Sequence, residues 1–414
     1  FGGKNGFWEA DVRFDVSKFR PALKWQIDTG EGKSSLVTDA DTVYVHVGDP
    51  EKGDDETITC VETLIALHRV TGQEKWRFTE TARMHDVQET FSGDPVSPQA
   101  TPVIVGDLVI SLGFTGRLIA LNRETGDVAW RVDLVNEFGA TPVQFGFSSS
   151  PVIGSEGRVF VMAAGDESGL LCLNASDGSL IWKNIISGPT YSTPVLAKLA
   201  DIRQLLIVGD SEIRGVEPEN GVTLWTYAMP KPELTNVPTP LVIEDGSFLI
   251  SGQGAGGTRR IDVSRKEGNW SVEEAWHNPK LLFFYCNWIQ LDSGTVIGCN
   301  DKLLLAFNPA TGEIVGRWRG FRDGNVVKAG NHLLLVNGRG RCSLLKPQEN
   351  GLNEVFQFRT LRGRCWTPPT LAGQELFIRS GKSVACFDVD MAQDSKLEAI
   401  DNFLDGPNLL TFED

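Results

Sequence analysis

One phrase recurs along the chain and limits the fold more than any other feature. Residues 64–76 read LIALHRVTGQEKW, 118–130 LIALNRETGDVAW, 170–182 LLCLNASDGSLIW and 213–225 IRGVEPENGVTLW. Each places a small residue, then a glycine, then a tryptophan at one spacing: Ala66/Gly72/Trp76, Ala120/Gly126/Trp130, Cys172/Gly178/Trp182 and Gly215/Gly221/Trp225. Looser copies stay in register. Asp262/Gly268 is followed late by Trp276, Ala306/Gly312 by Trp318, and Leu345/Gly351 by Phe356, while SVACFDVD at 383–390 puts Cys386 in the small slot. The slot recurs about every 46 residues, within the period range of four-stranded propeller blades.

The phrase has the chemistry of a β-hairpin. An apolar strand such as Leu64–Leu67 meets a TG, DG or NG turn, where glycine supplies φ > 0. The next strand ends on an indole, which is large, flat and carries one N–H donor. Once per blade, that ring is expected to wedge against the neighbouring blade and find a backbone acceptor. A second piece lies upstream: Thr101-Pro102-Val103, Ser150-Pro151-Val152, Thr193-Pro194-Val195 and Thr239-Pro240-Leu241, with Thr367-Pro368-Pro369 and Ser34-Ser35-Leu36 as variants. Proline prefers the first residue of a strand or an edge, so these open the innermost strands. The last unit ends near Asp390 without a Trp-bearing strand, whereas PALKWQI around Trp25 has that strand and nothing before it. Each completes the other. The expected fold is therefore all-β: an eight-bladed propeller of four-stranded antiparallel blades, closed by the N-terminal strand pairing with the last blade.

The charge balance narrows function. Among 414 residues, 39 Lys and Arg face 54 Asp and Glu, a net charge of −15. That opposes a generic nucleic-acid binder or docking on an anionic membrane, both of which draw on basic residues. No apolar run reaches the length of a membrane-spanning helix. Seven cysteines without CxxC or short spacings describe neither a disulfide framework nor a zinc site, and read as small buried apolar residues.

With its A-x-[DN]-x-x-x-G-x-x-x-W form, the phrase resembles the tryptophan-docking motif of eight-bladed quinoprotein-type (pyrroloquinoline-quinone-like) propellers, over residues 22–390. One branch of that family contains alcohol and glucose dehydrogenases that use pyrroloquinoline quinone (PQQ) with calcium. The other is cofactor-free and includes the lipoprotein of the outer-membrane β-barrel assembly machine and secreted bacterial propellers, whose lead-in FGGKNGFWEADVRFD resembles. The resemblance implies a periplasmic or otherwise exported protein. It also implies that an active quinoprotein would carry a disulfide of adjacent cysteines, and no two cysteines are adjacent here.

No catalytic set is recognisable. G-x-S-x-G and H-E-x-x-H are absent. GQGAGG at 252–257 is followed by a strand rather than a helix, so it does not read as a phosphate loop. The acidic stretch GDPEKGDDE at 48–56 reads as a solvated hairpin tip, and His68 takes the turn position that Asn122 and Asn174 hold elsewhere. The sequence assigns no catalytic, cofactor-binding or metal-binding residue. Candidate ligand contacts lie just before the inner strands, around the axial funnel: Tyr191, Asn236, Tyr285, Asn287, Trp288, Arg364 and Trp366, with Phe147, Ser148 and Ser192 nearby. Cys286 and Cys365 sit at similar places in blades six and eight, too far apart across a funnel for a disulfide.

The domain reading is a lead-in at 1–21, a single propeller at 22–390, and a tail at 391–414. The stretch from Arg77 to Ala100 reads as a loop over one face. The tail reads as a short helix through Met391, Leu397, Ile400 and Leu404. The leading function is a non-catalytic scaffold outside the cytoplasm. It would bind a protein partner, or a small or glycan ligand in the funnel, with no nucleic acid and no membrane span. Alternatives are a PQQ-dependent dehydrogenase of alcohols or sugars and a carbohydrate-binding module.

Overall fold

The structure is a computed structural model; it describes residues 9–10, 19–52, 58–84, 97–141, 145–163, 165, 169–186, 188, 190–231, 237–348, 351–390 and 408–410. Eight antiparallel sheets follow in chain order: blade one (37–84), two (103–133), three (152–185), four (195–228), five (241–278), six (288–318), seven (325–359) and eight (370–390 with 19–28). Each inner strand begins just after its Ser/Thr-Pro or equivalent piece. The strand Phe19–Asp28 pairs antiparallel with Ser383–Asp390 and sets Trp25 opposite Cys386, so the two ends of the chain close the ring as expected.

The core is not one central mass. Eight apolar clusters each span one interface between successive blades. The repeated phrase explains how. Within its own hairpin, Trp76 lies opposite Ala66, Trp130 opposite Ala120 and Trp182 opposite Cys172, so the small residue leaves room for the ring. Across the interface, the indole lies over the turn glycine of the next blade. A Cβ added at Gly72 would come within 2.7 Å of Trp25, and one at Gly126 within 2.8 Å of Trp76. Both glycines also hold φ near +70 to +80°, where L side chains are strained. The indole N–H groups donate to backbone carbonyls in that next turn: Trp25 to Arg69 (3.0 Å), Trp76 to Arg123 (2.9 Å), Trp130 to Ala175 (2.8 Å) and Trp276 to Pro309 (2.9 Å).

Several copies, degenerate and exact, depart from this pattern in instructive ways. The outer hairpin of blade five is longer, so Trp276 pairs with Arg260 rather than with the Asp262 slot, yet it still reaches Gly312 of blade six. Trp225 turns inward and donates to Gln204 Oε1 at 2.6 Å while stacking on Phe248. Phe356 replaces the indole in blade seven and packs edge-on against Phe19 at the seam. His68 accepts a hydrogen bond from Thr71 N–H at Nδ1, the turn role of the asparagines.

Two expectations need correction. The chain does not leave the sheet at Arg77, because the outer strand of blade one runs Glu74–Met84 against Ile58–His68. That neighbour extends in turn along Thr42–Lys52, so the backbone groups of 77–84 have a ladder to join. The tip of this hairpin and residues 85–96 lie outside the described residues. Blade seven also carries six strands rather than four. Glu9–Ala10 lies parallel to Asn325–Ala329, and Asn408–Leu410 pairs with Leu352–Glu354. The expected tail helix lies outside the described residues.

Candidate functional site

The inner strands all start on one face of the ring, here called the upper face. The connections from each outer strand to the next inner strand lie there, as do the turns between second and third strands. Around this face runs a chain of hydrogen bonds that the sequence did not announce. Ser35 N–H donates to Thr101 Oγ1 (3.0 Å), Thr101 N–H to Ser150 Oγ (2.9 Å), and Ser150 N–H to Thr193 Oγ1 (3.1 Å). The hydroxyl preceding each proline thus holds the blade before it. Later blades use other groups for the same task. Asn287 N–H donates to Asn325 Oδ1, Asn325 Nδ2 to the Trp366 carbonyl, and Thr370 Oγ1 to the Leu36 carbonyl. The recurrence of Ser or Thr before proline was a usable signal, since proline placement alone does not require a hydroxyl. Thr101 is buried, so Thr101→Val leaves the Ser35 N–H without a partner. Chemical denaturation should show a loss of about 1–3 kcal/mol.

The funnel candidates divide into two groups. Asn287 and Trp288 belong to the wall. The Asn287 amide bonds the Val326 backbone twice, at 2.6 and 2.8 Å, and Trp288 is buried against Phe283 and Phe307 and donates to the Thr239 carbonyl. Tyr191 is also buried. Its hydroxyl accepts from Phe145 N–H at 3.0 Å, and burial pushes the phenol up to about 12. Asn236 lies outside the described residues. Phe147 is buried over Gly116, while Ser148 and Ser149 hold buried hydroxyls with no partner among the described residues.

Tyr285, Arg364 and Trp366 do come together. Tyr285 is 59% exposed and stacks on Trp366 with ring centroids 5.9 Å apart and planes 18° from parallel. The Arg364 guanidinium lies 4.7 Å from the Trp366 ring centre, and Lys33, which the sequence reading missed, places its ammonium at 5.2 Å. Two cations thus lie against the Trp366 ring and concentrate positive charge at this edge of the upper face.

Beside this cluster, Arg379 of blade eight is fully buried. Its Nη1 donates to the Ser34 carbonyl (3.1 Å) and Ser34 Oγ (2.9 Å), whereas Nε and Nη2 have no hydrogen-bond partner among the described residues. Burial pulls this guanidinium below its ordinary value, and Glu31 works in the opposite direction. Between blades one and two, His46 Nδ1 is 2.9 Å from Ser111 Oγ and its Nε2 is 3.7 Å from Glu62. Glu62 also accepts from Thr115 N–H and Oγ1. All three residues of that relay are buried in the interface. On the opposite face, a cavity of about 490 Å³ lies between blades six and seven, bounded by Leu291, Ile297, Trp318, Leu333 and Leu352, with His332 at its wall.

A family model described as outer membrane protein assembly factor BamB matches residues 18–161 and 60–283. A protein of that description from Shewanella oneidensis is 25% identical over 278 residues, 65% of this chain and 68% of the relative. One from Burkholderia pseudomallei is 23% identical over 199 residues, 47% of this chain and 48% of the relative. The crystal structure of BamB from Moraxella catarrhalis superposes with a TM-score of 0.61 at 18% identity, covering 89% of this chain and all of that one. The quinohemoprotein alcohol dehydrogenase of Comamonas testosteroni superposes with a TM-score of 0.60 at 11% identity, covering 94% of this chain and 80% of that one, which shows a shared fold alone.

Among the described residues, the groups that would hold a quinone–calcium pair are not in place. Cys286 and Cys365 are free, buried thiols. Among the described residues no group of three His, Cys, Asp or Glu is placed to hold a cation. The indole of Trp288 is packed into the wall and offers no open face for stacking.

Proposed function

The chain belongs to the family described as outer membrane protein assembly factor BamB, and on that premise we propose that it is a non-catalytic, protein-binding scaffold for outer membrane protein assembly, working in the periplasm or otherwise outside the cytoplasm. The observation that carries this reading is the family match across most of the first five blades, on a ring whose upper-face polar groups largely bond one another. Groups fixed in that way hold a rigid surface, which suits partner binding, since little ordering free energy is lost on docking. The seven free thiols are buried, which would shield them from oxidation in an exported location.

Cross-linking in intact cells followed by purification is expected to recover this protein with components that fold or insert outer membrane barrels. Recovery of the free protein alone would sink the proposal. Stoichiometric uptake of pyrroloquinoline quinone with calcium, together with dye reduction on an alcohol or sugar, would replace it with the enzymatic reading.

A further inference from the structure

Charge is distributed very unevenly along this acidic chain. Residues 317–364 hold ten Lys and Arg against three Asp and Glu, whereas the remaining residues hold 29 against 51. The fold gathers much of this surplus on one surface. A run of backbone hydrogen bonds ties neighbouring upper-face segments side by side: Gly338 N–H to the Arg322 carbonyl, Cys365 N–H to Gly338, Gly381 N–H to Arg364, and Gly32 N–H to Gly381. Arg322, Arg339, Arg362, Arg364 and Lys33 stand on these segments, spanning blade seven, blade eight and the approach to blade one. The four arginines are exposed. Arg339 and Arg362 have no carboxylate partner among the described residues, although the chain is rich in carboxylates. Tyr285 and Trp366 lie at the edge of the same patch.

We propose that this upper-face patch of blades seven and eight, centred on Arg339, Arg362 and Arg364, is the docking site for an acidic polypeptide segment of a partner protein. The proposal rests on the scaffold reading and names the chemistry of its partner. Guanidinium groups present planar forks that match carboxylates, and Arg339 and Arg362 have none among the described residues to fill theirs. A polypeptide fits better than a duplex or an anionic bilayer. A long or planar polyanion laid across the ring would come within about one Debye length, roughly 8–10 Å, of the acidic surroundings, whereas a short segment can cover the basic patch alone.

The test uses a labelled peptide of about a dozen residues, rich in Glu and Asp, titrated into the full chain and followed by fluorescence anisotropy. Binding is expected at about 50 mM salt and should weaken roughly tenfold by about 200 mM. The triple variant Arg339→Glu, Arg362→Glu, Arg364→Glu should bind at least about tenfold more weakly while keeping a cooperative thermal transition, because Arg364 gives up only a surface contact with Trp366 and the three side chains are exposed. Arg203→Glu, on an exposed strand start in blade four, should change little. Equal binding by the triple variant, or no binding by the native protein at low salt, overturns the proposal. So does tighter binding of duplex DNA or of phosphatidylglycerol vesicles than of the peptide. A triple variant that loses the peptide yet still co-purifies with assembly components removes this site while leaving the scaffold reading intact. Peptide binding by a native protein that recovers no such component does the reverse.

Discussion

Trp25→Ala is expected to lower stability by about 3–5 kcal/mol, the range for removing a large buried ring. The indole belongs to a cluster that joins blade eight, through Phe377, Val384 and Cys386, to blade one, through Val43, Val45, Ile65 and Leu67. Its N–H holds the Arg69 carbonyl, and its ring covers Gly72. The loss is therefore of packing on both sides of the interface between blades eight and one, which closes the ring. Hydrogen exchange should show protection falling in 383–390 and in 64–72, about 300 residues apart in sequence, while blades three to five keep theirs. Protection lost only near position 25 would mean that the strand Phe19–Asp28 contributes to blade eight without closing the ring. Lys24 to Glu375 and Thr29 N–H to the Lys382 carbonyl tie strands within blade eight, and Arg69 to Glu375 and Arg379 to Ser34 cross to blade one, but none of these polar ties fills the space the ring leaves.

Much of the architecture is legible because the phrase is local. A small residue, a turn glycine and a tryptophan lie within one hairpin, so one short stretch specifies strand, turn and interface together. Blades five to seven are harder to read for the same reason: lengthening one hairpin moves Trp276 opposite Arg260, and a two-residue delay sets Trp318 opposite Leu304 instead of Ala306. The upper face was read less well. Asn287 looks like a funnel amide because it precedes an inner strand. Its partners are backbone groups of the next blade, nearly 40 residues away, and no local pattern shows that. Arg379 is similarly hidden, a charge in an otherwise apolar strand whose acceptor, Ser34, lies at the other end of the chain. The aromatic and basic cluster was half legible. Tyr285, Arg364 and Trp366 each lie just before an inner strand, which a local pattern shows, whereas Lys33 joins them only because the ring closes.

Above about pH 9 the protein should lose stability steeply, and the cysteines are the cause. All seven thiols are buried and free. Burial pushes Cys172 and Cys365 up to about 11 and Cys286 and Cys386 up to about 12, and holds Cys60, Cys299 and Cys342 well above the ordinary thiol range. In the unfolded chain these groups ionise near pH 8.5. Below that value both states hold the proton and the contribution to stability is complete. As pH rises, the unfolded chain releases protons that the native state retains, so each thiol removes about 1.4 kcal/mol per pH unit until its own folded value is reached. Tyr44 and Tyr191, also raised by burial, add in the same direction above about pH 10. The urea midpoint should be level from about pH 7 to 8.5 and fall beyond it. Cys172→Ala separates this cause from general alkaline effects. Alanine already occupies the same slot opposite a tryptophan at positions 66 and 120, so the variant should fold normally and show a shallower fall. A midpoint that stays level to about pH 10, or a variant that falls as steeply as the native chain, would show that the thiols are not what the alkaline transition titrates.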